Sequence, residues 1–412
     1  RHTPKWFLVR DSYITYTADI CSTTPLDVFL VDSKFKIKCS GRIKRKHSSD
    51  NNKKKPRKSS DEIISPDELD WDLENSKSIS TNLLITLQNS ERKLQIICKS
   101  EASLKLWVSS FTLMAKNTVW SRKNRFKSFA PIRQNAFCKL LVDGRDYFWY
   151  LSEALEIAQD VIYIHDWWLS PELYLRRPVN AHQEYRIDRM LRACAERGVK
   201  IFIIVYRNVG ATVGTDSLWT KHSMLGLHPN IHLIRSPNQW LQNTYFWAHH
   251  EKLCVIDNTI AFMGGTDLCF GRYDTPEHVL RDDYRDIKDQ TFPGKDYSNA
   301  RVCDFYELDK PFESMYDRDE VPRMPWHDVQ MMTVGEPARD MARHFIQRWN
   351  YLLREKRPSR PTPLLLPPSD FTKSELENSE FFQSLKTRST CEVQVLRSAG
   401  YWSLGLKETE KS

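Results

Sequence analysis

Short apolar runs separated by polar turns dominate the first 116 residues. Runs of this length, rich in Val, Ile and aromatic residues, predict β-strands. The predicted strands, of which the first two form a hairpin, are residues 5–10, 13–16, 27–31, 83–87 and 92–98. A closing helix is predicted to follow, capped by Ser100 or Ser103. Its apolar face, spaced by three and four residues, consists of Leu104, Trp107, Val108, Phe111 and Met114. We expect Trp107 to lie in the core.

From residue 131 onward, strand and helix patterns alternate. The predicted strands are 138–142, 161–164 and 199–205, and the predicted helices are 147–158, 186–197 and 338–353. Gly144 is placed in a turn, and Gly198 is placed at the end of a helix. This alternation predicts an α/β fold with parallel or mixed strands and with active residues at strand ends.

Three stretches interrupt these patterns. Residues 41–80 carry a basic half and then an acidic half with little apolar content, which predicts a disordered insert. Its basic half either contacts anionic phosphoinositides, at about 1 kcal/mol per residue near the surface, or belongs to a solvated loop. Residues 117–130 and the proline-rich 358–390 are predicted linkers, and residues 282–320 are predicted to run over the surface.

Composition narrows the class of protein. The chain has 412 residues, 40% of them hydrophobic, and a formal net charge of +8. No apolar run reaches the roughly 18 residues that cross a bilayer, so we expect a peripheral membrane protein of the cytoplasm. Residue 1 is not Met, so we expect an incomplete N-terminus. The nine Cys are scattered, with no zinc-type spacing, which predicts reduced thiols and no metal site.

The candidate chemistry lies in residues 247–257. His250, Lys252 and Asp257 form the pattern His-x-Lys-x-x-x-x-Asp, and the four residues between Lys252 and Asp257 are apolar. We predict that this run is a buried strand and that His250 and Lys252 emerge on one face, about 7 Å apart, with a phosphate between them. Gly264 and Gly265 would bring backbone N–H groups close to that ligand.

An imidazole and an ammonium at this spacing suit phosphoryl transfer. A neutral imidazole can attack phosphorus, and a protonated one can act as general acid. Lys252 would offset the charge of the phosphate oxygens, and nothing in the pattern requires a metal. The bare motif should arise by accident in roughly one chain of this size in twenty.

The similarity extends beyond the motif. Residues 248–274 resemble the first catalytic motif of the eukaryotic, fungal-type phospholipase D family, whose members carry two such motifs. Residues 166–173, 227–231, 323–328 and 342–350 resemble further blocks of that family, in the expected order. Tyr273 stands where animal members usually have Trp. Residues 1–116 resemble a pleckstrin homology domain, which in this family precedes the catalytic region.

The resemblance implies a multidomain protein. It would consist of an α+β pleckstrin homology-like barrel with a C-terminal helix (1–116), a linker, an α/β catalytic half with a mixed sheet (131–357), a second linker, and the start of a second catalytic half (391–412). It also implies hydrolysis of phosphatidylcholine to phosphatidic acid and choline, or transfer to an alcohol, through a phosphohistidine. No cofactor is expected, phosphoinositide is an expected activator, and nucleic acid is not an expected partner.

By the same resemblance, His250 would be the nucleophile or the acid, Lys252 would steady the phosphate, and Asp257 would fix the local geometry. Other candidates keep two interpretations each. Trp167 and Trp168 either bind a choline-like cation or acyl chain, or simply pack. Asp267 occupies either a phosphate-site position or the end of a turn. His249 and His228 are expected to be structural.

A second motif is missing, because no other His in the chain is followed two residues later by Lys. We therefore expect a partial sequence whose second catalytic half is absent. Two alternatives stay open at this point. One is a single-motif phosphodiesterase or nuclease that completes its site as a homodimer, and the other is a non-catalytic fragment that binds phosphoinositides.

Overall fold

The structure is a computed structural model of the 412-residue chain. It describes residues 3–40, 83–207, 215–237, 247–356, 358, 360–372, 375, 390–408 and 410–411. The predicted insert at 41–80 and most of the predicted linker at 358–390 lie outside the described residues. The chain divides into two compact units, Arg1–Pro131 with Leu396–Ser412, and Ile132–Val395.

The first unit contains two antiparallel three-stranded sheets and a helix. One sheet consists of β1 (Trp6–Val9), β2 (Tyr13–Thr17) and β3 (Asp27–Leu30), and the other of β4 (Lys36–Ser40), β5 (Leu83–Gln88) and β6 (Lys93–Cys98). All five predicted strands are present, and β4 was missed because its apolar positions are few and flanked by Lys. A closed barrel is not seen among the described residues.

The helix α1 (Glu101–Asn117) follows β6 and begins as predicted, with the Ser100 hydroxyl accepting a hydrogen bond from the Ser103 amide. Its predicted face is confirmed. Leu104, Val108, Phe111 and Met114 are buried in the core of this unit, together with residues of β2, β3, β5 and β6. Trp107 is partly buried against that core and stacks on Phe111 with ring centroids 5.7 Å apart.

The last residues divide between the two units. Of residues 391–412, which are predicted to begin a second catalytic half, β14 (Cys391–Gln394) belongs to the second unit and the residues from Leu396 onward belong to the first. There, β15 (Ser398–Ala399), the short helix α6 (Tyr401–Leu404) and β16 (Glu410–Lys411) follow. β16 pairs antiparallel with β15.

The second unit alternates strands and helices as predicted. In chain order its elements are β7 (Ile132–Val142), α2 (Asp143–Glu156), β8 (Val161–Asp166), α3 (Ile187–Glu196), β9 (Lys200–Val205), α4 (Ser217–Leu227), β10 (Ile231–Arg235), β11 (Leu253–Ile256), β12 (Ile260–Gly264), β13 (Val329–Val334), α5 (Glu336–Glu355) and β14. Gly198 has a positive φ of 101° after α3, as its C-terminal position predicts. Gly144 lies in the first turn of α2 and not in a connecting turn.

Eight strands form one mixed sheet in the order β10-β9-β8-β11-β12-β13-β7-β14. The first three strands are parallel and the remaining pairs are antiparallel. Every residue of β8 and β11 is buried, so the Val- and Ile-rich runs form the centre of the core. The sheet thus fixes β11 between β8 and β12, and the ends of these three strands hold the candidate site.

The connection between β12 and β13 is long and irregular. Its predicted surface course is only partly correct, since Phe292 and Tyr297 are fully buried within it. Arg177 and Asp296 form a buried ion pair there, with Nη2 and Oδ2 2.7 Å apart. Among the described residues, no helix combines the length and apolar character that a membrane span needs.

Candidate active site

His250 and Lys252 lie directly before β11 instead of within it, because pairing with β8 and β12 starts at Leu253. His250 is exposed, whereas Lys252 is only 3% exposed. The Trp167 ring lies beside both side chains. It meets the His250 imidazole edge-on with centroids 5.3 Å apart, and the Lys252 Nζ is 5.8 Å from its centroid. The two motif residues therefore share one site, although the strand itself does not present them.

Lys252 is held by a buried carboxylate. Its Nζ lies 3.0 Å from Oδ1 of Asp267, which is 2% exposed. The guanidinium of Arg272 approaches the other oxygen of Asp267 at 3.7 Å and stacks 3.8 Å from the centroid of the Trp326 ring. Of the two interpretations of Asp267, the structure therefore places it in the site, as the ion-pair partner of Lys252.

Asp166 adds a second carboxylate next to Asp267. Its Oδ2 accepts a hydrogen bond of 2.8 Å from the Leu268 amide. Burial, and then the neighbouring Asp267 charge, raise the pKa of Asp166 well above its usual range. The raised pKa favours the neutral form of Asp166, and the carboxylate that Lys252 contacts is that of Asp267.

The surroundings of His250 favour its neutral form. Partial burial lowers the pKa of this imidazole, and the nearby positive charges of Lys252 and Arg272 lower it further, while Asp267 and Asp328 oppose the shift. A neutral imidazole has a lone pair available at neutral pH. His250 thus has the protonation state that a nucleophile needs.

The glycine pair serves a different purpose from the one predicted. The amides of Gly264 and Gly265 donate to backbone oxygens of Lys252 and Val329, at 3.4 Å and 3.0 Å, so they are used within the protein. A Cβ at Gly264 would lie 2.4 Å from the Val329 carbonyl oxygen, and one at Gly265 would lie 2.1 Å from Oδ1 of Asp328. The missing side chains therefore allow the segment before β13 to approach the site closely.

The two tryptophans have different positions. Trp167 lies between His250 and Tyr206, whose ring it stacks on at a centroid distance of 6.5 Å. Trp168 is 3% exposed and packs in a cluster with Cys269 and Phe270, and its ring meets the Phe305 ring at 4.7 Å. The packing interpretation therefore applies to Trp168, and only Trp167 borders the catalytic side chains.

Asp257 lies at the other end of β11. Its carboxylate accepts three backbone hydrogen bonds at the start of β8, from Gln159 at 2.8 Å, Asp160 at 2.8 Å and Val161 at 2.9 Å. At ~3.3 Å per residue, five residues separate it from Lys252 by roughly 16 Å. Asp257 fixes the local geometry, as expected, but it does not share a site with His250.

Beneath the site, Glu251 holds a group of buried histidines. Its Oε2 lies 2.8 Å from Nε2 of His249 and 3.3 Å from Nδ1 of His165, and its Oε1 lies 2.6 Å from Nε2 of His344. Burial lowers the pKa of His165 to about 4, an effect that outweighs the opposing Glu251 charge. Burial acts to raise the pKa of Glu251, but its interactions with His344, His165 and His249 outweigh burial and hold that pKa well below its usual range. Because Glu251 lies between His250 and Lys252, this network orients the segment that carries both.

The same network contains ligand types that metals use. His165, His249 and Glu251 offer three such atoms within 4.8 Å of one another. Glu251 is already engaged by His344, and the positive charge of Arg348 acts on both Glu251 and His249. A cation placed here would be repelled by that guanidinium, so we assign these residues a structural role.

Comparison with known proteins places this geometry in a family. The family model described as Phospholipase D matches residues 154–410, which include the whole site. The chain belongs to the phospholipase D family. Phospholipase D1 of Saccharomyces cerevisiae is 66% identical over 430 residues, covering 100% of this chain and 26% of the relative. Phospholipase D1 of Schizosaccharomyces pombe is 45% identical over 414 residues, covering 99% of this chain and 28% of the relative.

This phospholipase D chain therefore spans about a quarter of the length of these curated relatives. Among solved structures, Nuc of Salmonella typhimurium, a phospholipase D family member, matches 52% of this chain and 95% of its own, with 14% identity and a TM-score of 0.30. A likeness this low supports no conclusion about function.

Several site residues of this phospholipase D were missed from the sequence. Asp166 and Glu251 lie within the motif blocks but were assigned no role; the available signals were the position of Asp166 within an apolar run and of Glu251 between the two motif residues. Arg272 and His344 also lie within these blocks and His165 directly precedes Asp166, but only the fold shows that they meet at the site.

Proposed function

We propose that this chain is the first catalytic half of a phospholipase D that hydrolyses phosphatidylcholine to phosphatidic acid and choline. The observation that carries the proposal is an exposed imidazole with a lowered pKa beside a buried lysine–aspartate pair. Such a pair presents an oriented positive charge without a mobile side chain. A phosphodiester between His250 and Lys252 would meet a nucleophile and a charge-balancing group together.

In the proposed reaction, a neutral nitrogen of His250 attacks phosphorus and forms a P–N bond. The P–O bond to choline breaks, and the choline oxygen takes a proton from a general acid. Water then attacks the phosphohistidine, releasing phosphatidic acid and restoring the imidazole; a primary alcohol in place of water gives the transfer product. Lys252 and Arg272 offset the charge of the non-bridging oxygens in both steps.

The general acid has to come from outside this chain, since only His250 has Lys two residues on. We assign it to a second catalytic half in the complete protein. Trp167 borders the space in which the choline headgroup would lie, and a quaternary ammonium favours an aromatic face. The substrate is thus proposed to be a membrane lipid, with no role for nucleic acid.

We further propose that the first unit is a pleckstrin homology-like domain and that the protein is a peripheral membrane protein of the cytoplasm. Two antiparallel three-stranded sheets followed by one C-terminal helix support this assignment. Basic residues at 42–58 would then contact anionic phosphoinositides, which would act as activators. Vesicle binding of the chain with and without phosphoinositide tests this part separately.

The test of the reaction is choline release, and phosphatidyl transfer to a primary alcohol, by the complete protein on phosphatidylcholine vesicles containing phosphoinositide. His250→Ala should abolish both activities without loss of folding, because the side chain is exposed. His222→Ala, an exposed histidine on α4, is the matched control and should behave as wild type. Near-normal turnover by His250→Ala would refute the mechanism.

The 412-residue chain by itself distinguishes the remaining alternatives. Under the proposal it is inactive, and it regains activity only with the second half supplied. Activity that disappears on dilution would instead mean that two copies complete one site. Binding to phosphoinositide vesicles with no turnover in the complete protein would favour a non-catalytic role.

A further inference from the structure

Three side chains from separate parts of the second unit converge beside the candidate active site and take no part in the proposed reaction. Asp143 begins α2, His278 lies between β12 and β13, and His327 lies two residues before β13. Nδ1 of His327 is 2.7 Å from Oδ1 of Asp143, and Nε2 of His278 is 3.9 Å from Oδ2 of the same carboxylate. One potential ligand atom from each residue lies within 4.8 Å of the other two.

Two imidazole nitrogens and one carboxylate oxygen are a donor set that zinc prefers, and three protein ligands leave a fourth position for water. With metal–ligand bonds of about 2.1 Å, tetrahedral ligand atoms lie roughly 3.4 Å apart. The widest separation in the cluster would have to shrink by roughly 1.4 Å from the 4.8 Å limit. Rotation of the His327 side chain, which is 65% exposed, can supply such a change.

The tautomer of His278 is already set for binding. Its Nδ1 lies 2.9 Å from Oδ2 of Asp274, so that carboxylate accepts the Nδ1 proton and leaves Nε2 facing Asp143. Asp274 is fully buried and is itself fixed by the Arg323 guanidinium at 3.1 Å and the Trp326 amide at 2.8 Å. A carboxylate behind a histidine in this way is the usual second layer of a zinc site.

The cluster is also open on one side. The Asp143 side chain is 1% exposed, whereas those of His278 and His327 are 36% and 65% exposed. An ion can therefore enter from solvent and meet a buried anion at the base of the site. Among the described residues no Lys or Arg forms an ion pair with Asp143, whose carboxylate faces the two imidazoles and the Asp328 amide.

We propose that Asp143, His278 and His327 form a binding site for a divalent transition metal, with Zn²⁺ as the ion that best suits the donors. The bound ion ties the start of α2 to the segment before β13, where the Asp143 amide already donates to the Asp328 carbonyl oxygen at 2.9 Å. Asp328 in turn packs against Gly265 at the candidate active site. The proposed metal site is independent of the proposed reaction and can be tested without it.

The experiment is a Zn²⁺ titration of the chelator-treated 412-residue chain by calorimetry, repeated with Co²⁺ by visible absorption. We expect one ion per chain, bound by neutral His327 through Nδ1 with its single ring proton moved to Nε2. His327→Ala and Asp143→Asn should each weaken Zn²⁺ binding by more than about 100-fold, because even a second-layer partner is worth about 10- to 100-fold. Mg²⁺ should not compete, since it prefers oxygen ligands.

Two controls make the result decisive. His327 is the most exposed of the three, so His327→Ala should fold normally, as circular dichroism without metal will show. His222→Ala should bind Zn²⁺ as wild type does. The proposal is overturned if the wild-type chain binds no Zn²⁺, or if binding survives His327→Ala and Asp143→Asn and is lost in His165→Gln, which would place the ion in the other histidine cluster.

Discussion

The polar residues of one short motif lie at the two ends of β11, in different environments. Before the strand, His250 is exposed, and Lys252 is buried in an ion pair with Asp267. After the strand, both carboxylate oxygens of Asp257 accept hydrogen bonds from three backbone amides at the start of β8. One end is proposed to meet a substrate, and the other joins β11 to the start of β8.

This difference shows that spacing along a chain does not define a site. Four buried residues separate the two ends, and a strand of that length carries the third motif residue well away from the first two. Substitutions at the two ends should therefore separate chemistry from stability, which the following experiments test in order of expected effect.

The largest effect is expected for Lys252→Met at the catalytic end. Turnover of the complete protein should fall by about 10²- to 10³-fold or more, since a preorganised charge at the phosphate is lost. The chain should also lose about 3–5 kcal/mol of unfolding free energy, because Asp267 is left buried without its partner. Choline release and urea unfolding measure the two effects.

A second substitution separates these effects. In Lys252→Met combined with Asp267→Asn, the unpaired charge is gone, so most of the unfolding free energy should return while turnover stays low. If the double variant regained turnover, Lys252 would serve only to neutralise Asp267, and its proposed role at the phosphate would be wrong.

The unfolding free energy of the catalytic unit should also depend on pH. The pKa of His165 is lowered to about 4 from an ordinary value of 6.5. Between pH 4 and pH 6.5, His165 is therefore protonated in the unfolded chain and neutral in the folded chain. Stability is thus fully present above pH 6.5 and is lost as the pH falls toward 4, by up to about 3 kcal/mol. Urea unfolding of the catalytic unit across this range should show the loss.

His165→Gln removes one titrating group and should reduce that pH dependence, leaving the contribution of His249, whose pKa is also lowered by burial, while His222→Gln, on an exposed histidine, should leave it as in wild type. An unchanged slope in His165→Gln would mean that other groups cause the loss, and that burial does not keep the His165 imidazole neutral.

Local pattern predicted much of the fold but little of the site's interior. The apolar runs located β8, β9 and α5, and the His-x-Lys spacing located the exposed end of the site, because these features depend on neighbours in sequence. The pairing of Glu251 with His344, and of Asp143 with His327, joins residues 93 and 184 positions apart. Such contacts follow from the order of strands in the sheet, which periodicity does not determine.

The glycine pair shows the same limit. Its composition correctly indicated a close approach, but the approaching group is the segment at Asp328 and Val329 and not a ligand. Likewise, residues 391–394 form a strand of the second unit, whereas the residues from Leu396 onward belong to the first unit, a division that their own sequence does not reveal. Local composition indicates where the backbone allows a close approach or forms a strand. The fold determines which segment approaches or pairs there.

The smallest effect on turnover is expected at the Asp257 end of β11. Asp257→Ala leaves the amides of Gln159, Asp160 and Val161 without their acceptor, which should cost about 2–3 kcal/mol of unfolding free energy, partly relieved by water because the site is half-buried. Asp257→Asn should cost less, about 1 kcal/mol, since its amide oxygen can still accept the two bonds that Oδ1 now receives. Turnover per folded molecule should stay within a few-fold of wild type in both variants, measured well below the unfolding temperature. A loss of turnover above 100-fold with unchanged unfolding free energy would mean that Asp257 acts on the reaction itself, and the contrast between the two ends of β11 would have to be abandoned.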